Sequence, residues 1–292
     1  MEKDYLTEAL NIYCLDLGLA LHRAVEANMF SQIPLVSKSL DLGCGDGSFI
    51  SLSYGALNNE TLSPSLIGQL SKNAKQVDVG LDRVFVSAKK AKDKKIYKYV
   101  VVGDINKLPF KNHMFNIIVS NSVMTHIIHL EKGLAEINRI LFKEGKFVFT
   151  VPSQYFEDYL FYAQILTKLF FGKLAYFFSR KYSRKYKQYH LFDAREWDFR
   201  LGNAGMILEG SKYYLSKKGS FIWSLLFVLG RVGYKRFTLG GLCRKMSMLF
   251  TRLHIYFLKG IFSKYIQNIL RKSYLEEPQI GGSLFIVARK IN

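Results

Sequence analysis

Three glycines at alternate positions, Gly43, Gly45 and Gly47, follow directly on the short run of residues 40–42, in which Asp41 lies between two leucines. Glycine adopts positive φ without strain and lets the backbone approach a ligand closely. The pattern therefore predicts a buried strand that ends in a tight ligand-binding loop. Dinucleotide-binding loops carry the spacing G-x-G-x-x-G, so the shorter G-x-G-x-G spacing favours a different nucleoside ligand.

Three further apolar runs also end in polar residues. Residues 77–82 and 99–104 each end in an acid, and residues 115–121 end in an amide. Strands that alternate with helical segments predict a parallel sheet with helices on both faces, and ligands bind beyond the carboxyl ends of such strands. Four polar residues are therefore expected at one ligand-binding edge: Asp41, Asp82, Asp104 and Asn121.

The stretch after the fourth apolar run has helical spacing. It predicts a helix over residues 122–142, with Ile137, Ile140 and Leu141 on one side. A fifth strand is predicted over residues 146–151, and Pro152 is expected to end it.

This succession of loop, acids and strands resembles the class I S-adenosylmethionine-dependent methyltransferases, in particular the type 11 group that includes quinone-biosynthesis enzymes. The resemblance covers residues 36–152 and shorter pieces near residues 188–206 and 282–288. It implies an α/β fold with a Rossmann-like, seven-stranded, doubly wound sheet whose last strand is antiparallel. It makes residues 206–215 and 283–290 strands six and seven, and it implies S-adenosyl-L-methionine as cofactor.

The resemblance also implies roles for the residues of this edge. Asp82 is expected to bind the ribose hydroxyls, with Arg83 nearby, and Asn121 is expected to border the methyl donor. The methionine part is expected to lie against the glycine loop, which comprises Asp41, Gly43, Cys44, Gly45 and Gly47. The adenine is expected to lie between Asp104 and Ile105.

Two long insertions are expected to interrupt the core. Residues 154–187 are rich in aromatic residues, and they are expected to form a helical lid over the substrate entrance or a cap that only packs. We predict a single methyltransferase domain over residues 1–292. Its parts are a cofactor-binding core at 36–153, the lid at 154–187, the rest of the core at 188–216 and 279–292, and a basic amphipathic insertion at 217–278.

The net charge of +19 is unevenly distributed along the chain. Residues 1–155 hold 18 Lys and Arg against 15 Asp and Glu, whereas residues 156–292 hold 24 against 8. Such a basic half indicates an anionic partner, either a membrane surface or nucleic acid. Residues 246–272 place aromatic and aliphatic side chains on one helical arc opposite basic ones, a pattern typical of helices at anionic lipid interfaces.

Two histidines are candidate general bases for methylation of a hydroxyl group. His126 follows strand four, and His190 lies where the lid rejoins the core; histidine titrates near neutral pH. The three cysteines are scattered and lack metal-ligand spacing, so no metal site is expected. The first residues carry no signal-peptide pattern, which favours a cytoplasmic protein that is peripheral on the inner face of the membrane.

The sequence therefore predicts a methyltransferase that acts on a hydrophobic or lipid-linked acceptor at a membrane surface, with oxygen favoured over nitrogen or carbon. The alternative is an RNA or DNA methyltransferase that uses the basic half as a phosphate track. Ser120-Asn121-Ser122-Val123 stands where amino-methylating nucleic-acid enzymes usually carry Asn/Asp-Pro-Pro-aromatic, which argues against that alternative. A noncatalytic scaffold is the third alternative. The acceptor's identity and the oligomeric state are left open.

Overall fold

The computed structural model describes residues 4–13, 16–55, 77–230, 233–234, 237–238 and 261–291, and it describes side chains in these ranges outside residues 231–267. The strands are β1 (Ser39–Leu42), β2 (Val77–Asp82), β3 (Tyr97–Val102), β4 (Phe115–Asn121), β5 (Leu141–Pro152), β6 (Met206–Tyr214), β7 (Gly233–Tyr234), β8 (Phe237–Thr238) and β9 (Ser283–Lys290). The helices are α1 (Tyr5–Ile12), α2 (Leu17–Ser31), α3 (Ser48–Tyr54), α4 (Phe85–Asp93), α5 (Leu130–Ile140), α6 (Phe161–Lys168), α7 (Gly172–Lys185), α8 (Ala194–Asn203), α9 (Lys217–Leu229) and α10 (Ile261–Tyr274).

Seven of these strands form one mixed sheet in the order β3-β2-β1-β4-β5-β9-β6. β1 to β5 pair in parallel, and β9 runs antiparallel to β5. The predicted Rossmann-like sheet with an antiparallel last strand is thereby confirmed. The strand order reverses between β1 and β4, and this is where open α/β sheets bind their ligands.

The chain divides into two compact units, each built from three segments. The sheet unit comprises residues 26–154, 183–212 and 283–292, and the helical unit comprises residues 1–25, 155–182 and 213–282. The boundaries proposed from the sequence for the core and its insertions remain predictions.

Large aromatic side chains fill the core of the sheet unit. Trp197 of α8 is fully buried, and its ring lies edge-on to Phe149 of β5 with 5.0 Å between centroids. Full burial of one such side chain contributes about 1.5–3 kcal/mol. Asp193 caps α8 by accepting a hydrogen bond from the amide of Glu196, which fixes where the Trp197 helix begins.

Several local predictions were wrong. The fifth strand begins at Leu141, before the predicted start at residue 146. In place of one helix over residues 122–142, a 3₁₀ turn spans Met124–His126 and α5 spans Leu130–Ile140. Leu141 leaves the helix because it pairs with Phe115 as the first residue of β5. The third strand runs from Tyr97 to Val102, two residues earlier than predicted, so Asp104 lies in the turn beyond it.

The helical unit has its own aromatic core around Trp223 of α9. The rings of His22, Phe156 and Phe227 lie 5.2, 5.6 and 5.7 Å from it, centroid to centroid. Within the described ranges, no helix is long and apolar enough to cross a membrane.

The predicted amphipathic helix of residues 246–272 lies only partly within the described residues. Residues 246–260 lie outside them, as do Cys14 and Cys243, and residues 261–274 form α10. Arg271, from the predicted basic face, donates a hydrogen bond of 2.6 Å to Asp4 Oδ2.

Candidate active site

The glycine loop connects β1 to α3, and its three glycines all adopt positive φ: +83° at Gly43, +56° at Gly45 and +79° at Gly47. A Cβ on Gly43 would lie 2.3 Å from Cγ2 of Val123, so both space and conformation require glycine there. A Cβ on Gly45 would meet no atom within 4 Å. The loop therefore presents bare backbone on the Gly45 side, as a cradle for a ligand must.

Asp82, at the end of β2, is tied to this loop. Its Oδ2 accepts a hydrogen bond of 2.8 Å from the amide of Gly45, and its Oδ1 accepts one of 2.7 Å from the amide of Val84. A carboxylate oxygen can accept two hydrogen bonds, so each retains capacity for a ligand hydroxyl. Arg83 follows directly and is exposed.

Asp41 lies beneath the loop and is only 4% exposed. Burial raises its pKa to about 7; the hydrogen bond from Tyr97 opposes that rise and the charge of Asp82 adds to it. Tyr97 donates its hydroxyl hydrogen to Asp41 Oδ2 over 2.6 Å. Burial likewise raises the pKa of the Cys44 thiol well above its ordinary value, which makes it a packed residue and a poor nucleophile.

A lysine fixes the far end of the loop. Lys94 Nζ donates to Asp46 Oδ2 over 2.8 Å and to the Ser48 hydroxyl over 2.6 Å. Burial alone would raise the pKa of Asp46, but the hydrogen bonds from Lys94 and Ser48 outweigh it and lower the pKa. The start of α3 is thus anchored to the end of α4.

Asn121, at the end of β4, is held from both ends of its side-chain amide. Its Nδ2 donates to Oε2 of Glu26 over 3.1 Å, and its Oδ1 accepts from the hydroxyl of Thr150 over 3.0 Å. Glu26 of α2 has no exposed surface, and its Oε1 accepts a hydrogen bond of 3.0 Å from the hydroxyl of Ser122. Glu26 was not predicted as a site residue. Its only signal is an isolated acid within the helical, largely apolar run of residues 24–30.

Asp104 and Ile105 lie in the turn after β3. Asp104 is exposed, and its Oδ1 accepts hydrogen bonds from the backbone and side-chain amides of Asn106 at 2.8 and 3.1 Å. Ile105 is buried. The turn continues into a segment held by Glu136, whose Oε2 accepts from the amide of Leu108 over 2.8 Å. An exposed carboxylate beside an apolar residue can flank a flat polar ring such as adenine.

His126 and His190 lie on two segments that run next to each other. Tyr189 N donates to the carbonyl of Thr125 over 2.9 Å. His126 Nδ1 lies 3.0 Å from the carbonyl oxygen of Lys187, and His190 Nε2 lies 2.6 Å from that of Ile127. Because a carbonyl only accepts, each of these nitrogens carries the hydrogen, and the other ring nitrogen is the proton acceptor.

His190 is half-buried, and burial lowers the pKa of its imidazole. His190 is therefore neutral, and able to accept a proton, at neutral pH. His126 is exposed.

The residues at this edge fit S-adenosylmethionine by their chemistry. The glycine loop leaves a cradle at Gly45, and the Asp82 carboxylate beside it suits a ribose diol. In the part of the chain that the structure describes, no three His, Cys, Asp or Glu side chains are placed to hold a metal ion.

The chain matches known sequences over part of its length. Residues 40–149 match a family model described as a methyltransferase domain. An uncharacterized protein of Methanocaldococcus jannaschii is 35% identical over 116 residues, which are 40% of this chain and 37% of that protein. The match therefore spans little more than a third of that relative.

Solved structures show the same fold at low sequence identity. The complex between the Haloferax volcanii Trm112 methyltransferase activator and a methyltransferase matches with a TM-score of 0.52 and 14% identity, covering 100% of both chains. Geranyl diphosphate methyltransferase in complex with S-adenosylmethionine matches with a TM-score of 0.50 and 11% identity, covering 94% of this chain and 90% of that one.

The sheet order and the glycine loop define a Rossmann-like methyltransferase fold. Residues 40–149 match a methyltransferase domain, and the fold matches that of solved methyltransferases. The resemblance to methyltransferases that the sequence predicted is thereby confirmed for residues 40–149.

Proposed function

We propose that the protein transfers a methyl group to an oxygen of a hydrophobic or lipid-linked small molecule at the cytoplasmic surface of a membrane. The observation that carries the methyl-transfer part of the proposal is the Gly45–Asp82 hydrogen bond of 2.8 Å, since it holds a carboxylate at the glycine cradle where the cofactor would bind. The individual roles of the site residues are part of this proposal. Asp82 binds the ribose, Asp104 and Ile105 flank the adenine, and Asn121 borders the methyl donor.

The chain's own residues have two tasks in such a reaction. S-adenosylmethionine, when bound, supplies a methyl group that its sulfonium already activates. The protein must align the acceptor, since proximity and orientation supply much of the rate, and it must take up the acceptor's proton. Nδ1 of His190 and Nε2 of His126 are the nitrogens that can accept this proton, because the other nitrogen of each ring donates to a carbonyl. Two such bases support oxygen as the methylated atom.

Asn121 is suited to orient groups near the donor. Its amide cannot rotate freely, because Glu26 accepts from one end and Thr150 donates to the other. A fixed amide dipole beside the reacting atoms stabilises one arrangement of donor and acceptor at no cost of ordering during the reaction. Glu26 is in this view a positioning residue.

The membrane location is supported by charge. The 24 basic against 8 acidic residues in residues 156–292 would attract the protein to anionic headgroups, at about 1 kcal/mol for each basic residue near the surface. The same charge would serve a nucleic-acid methyltransferase, whose binding would fall steeply as salt is raised.

The test is methyl transfer from labelled S-adenosylmethionine to three pools: extracted lipids, RNA and soluble metabolites. Incorporation into the lipid pool supports the proposal if the methylated molecule is a phenol or an alcohol. Incorporation into RNA alone overturns the acceptor class, and incorporation into none by a chain that binds the cofactor in calorimetry overturns the proposed activity. Asp82→Ala is the variant that should lose incorporation into any pool.

A further inference from the structure

The outward side of helix α7 is made of large apolar side chains. In soluble proteins such residues line the face that packs on the core. Here they are exposed, together with the three residues of the turn that joins α6 to α7. The exposed set is Leu169, Phe170, Phe171, Leu174, Phe177 and Phe178.

The buried side of α7 consists mostly of small residues. Ala175 and Ser179 are buried, and Ser179 donates its hydroxyl hydrogen to the carbonyl of Glu157 over 3.0 Å. One turn further on, Tyr182 contacts the rings of Phe156 and Phe227 at 6.0 and 6.3 Å between centroids. These contacts therefore hold α7 with its aromatic side outward. Burial of the helix's own apolar surface would favour the opposite orientation.

The α6–α7 turn holds Phe170 in an unusual conformation. Phe170 N donates to the carbonyl of Thr167 over 3.1 Å, and Phe171 N donates to that of Leu166 over 2.8 Å. This is the Schellman pattern, whose left-handed position is usually glycine. Phe170 occupies that position at φ +62° and is 97% exposed. A bulky residue is strained in this conformation. Phe170 therefore carries a conformational cost that burial of its own side chain does not offset.

The surroundings of the apolar turn are positively charged. Residues 161–185 contain six Lys and Arg and no Asp or Glu. Lys168 and Lys173 bracket the apolar turn, and both are exposed. Further along the helix, the basic residues Arg180, Lys181, Arg184 and Lys185 are exposed as well. An apolar, aromatic tip surrounded by cations matches the two layers of an anionic lipid interface, acyl chains beneath phosphates.

We propose that the α6–α7 tip, residues 169–171 with Leu174, Phe177 and Phe178, inserts into the headgroup and acyl boundary of an anionic bilayer. Lys168 and Lys173 bind the lipid phosphates in this arrangement. The inference rests on the proposed function at a membrane, and it assigns the contact to this segment, whereas the sequence pattern pointed to residues 246–272. A second copy of the chain is a poor occupant, because the two cationic rims would repel each other.

The test uses the full chain and co-sedimentation with vesicles of phosphatidylcholine alone or mixed with phosphatidylglycerol. We expect Phe170→Ser with Phe171→Ser to lower partitioning into mixed vesicles by about tenfold or more, because burial of two phenylalanines is lost. Lys168→Gln with Lys173→Gln should lower it by about tenfold on mixed vesicles and leave the weak binding to phosphatidylcholine unchanged. Phe199→Ser is the matched control, an exposed phenylalanine of the sheet unit, 65% exposed.

The outcomes separate this inference from the proposed function. Equal partitioning of the Phe170/Phe171 variant and the native chain overturns the assignment to the tip and leaves membrane binding in place. Failure of the native chain to bind either vesicle overturns both the tip and the membrane location. Cofactor binding, measured by calorimetry on the same samples, reports on the methyltransferase site alone and shows that each variant is folded. A change in oligomeric state in the Phe170/Phe171 variant, measured by light scattering, would instead show that the tip contacts another copy.

Discussion

The amide of Gly45 donates a hydrogen bond to Oδ2 of Asp82, with 2.8 Å between nitrogen and oxygen. This bond joins the loop after β1 to the end of β2, its neighbour in the sheet. A single carboxylate thereby shapes the glycine cradle and lies beside the ligand that the cradle would receive. The two functions cannot be separated by mutation of Asp82 alone.

Asp82→Ala is expected to weaken S-adenosylmethionine binding by at least about tenfold, because it removes both the ribose contacts and the bond that shapes the loop. Hydrogen bonds to a charged group contribute about 1.5–3 kcal/mol each. Isothermal titration calorimetry measures the change. Asp93→Ala, an exposed acid at the end of α4, is the control and should bind as the native chain does. Unchanged affinity in Asp82→Ala would rule out its role at the ribose.

The glycines of the loop are expected to respond differently to alanine. Gly43→Ala should destabilise the fold, since its Cβ would lie 2.3 Å from Val123 at φ +83°. Gly45→Ala has room for its Cβ and should cost only about 1–2 kcal/mol of conformational strain, yet lose cofactor affinity. Urea unfolding and calorimetry together separate the two effects. Native affinity in a folded Gly45→Ala would show that the ligand does not lie against this residue.

Asp41 is expected to make stability depend on pH. Burial raises its folded-state pKa to about 7 from an ordinary 3.8, so between these values the folded chain keeps a proton that the unfolded chain has lost. The stability contributed by this group is complete below pH 3.8 and falls as pH rises towards 7, by at most about 1.4 kcal/mol per pH unit. Asp41→Asn removes this titration, and its side-chain oxygen can still accept a hydrogen bond from Tyr97. Its stability relative to the native chain should therefore rise from pH 4 to pH 7 in urea unfolding; a constant difference would contradict the expectation.

Glu26 is expected to stabilise the fold and to orient Asn121. Glu26→Ala removes the acceptor of Asn121 Nδ2 and of the Ser122 hydroxyl in a buried site, and should lower the free energy of unfolding by about 2–4 kcal/mol. Glu26→Gln keeps one acceptor oxygen and should therefore lower the free energy of unfolding by less. If Glu26 positions Asn121, Glu26→Gln should lower kcat more than it changes cofactor affinity. An equal loss of stability in both variants, with native kcat in Glu26→Gln, would leave Glu26 without a positioning role.

The two histidines can be ranked by their kinetics once an acceptor is known. His190→Gln or His126→Gln, whichever removes the base, should lower kcat by about 10²- to 10⁴-fold with little change in cofactor affinity. Since burial lowers the pKa of His190 from 6.5, a rate that depends on it should decline only below pH 6.5. His129→Gln, at the exposed start of α5, is the control. An acid limb above pH 6.5 would point away from His190.

The sheet could be predicted because its signals are local. β2 and β4 are runs of apolar and β-branched residues, and their predicted bounds agree with the structure residue for residue. The bounds of β9 agree as well, but they came from the family resemblance. The predicted bounds of β3 were wrong by two residues, since the strand begins at Tyr97 and ends at Val102. Tyr97 is buried, and it reaches across the sheet to donate to Asp41, 56 positions away in sequence.

The residues that hold the site in place could not be predicted for the same reason. Glu26 lies 95 positions before Asn121, and Lys94 lies 48 positions after Asp46. No spacing rule links such pairs, and neither Glu26 nor Lys94 belongs to a motif. Similarly, the density of aromatic residues in residues 154–187 predicted a lid or a packed cap, but only the fold shows which side of α7 is buried.

The position of β9 has a consequence for how the chain is made. β9 lies between β5 and β6, yet residues 213–282, which form much of the helical unit, separate it in sequence from β6. During synthesis on the ribosome, six strands of the sheet emerge before the strand that joins β6 to the others. Until residue 290 leaves the ribosome, β5 and β6 each present an open edge that invites pairing with another chain, so this interval is when the nascent chain is most exposed to incorrect strand pairing.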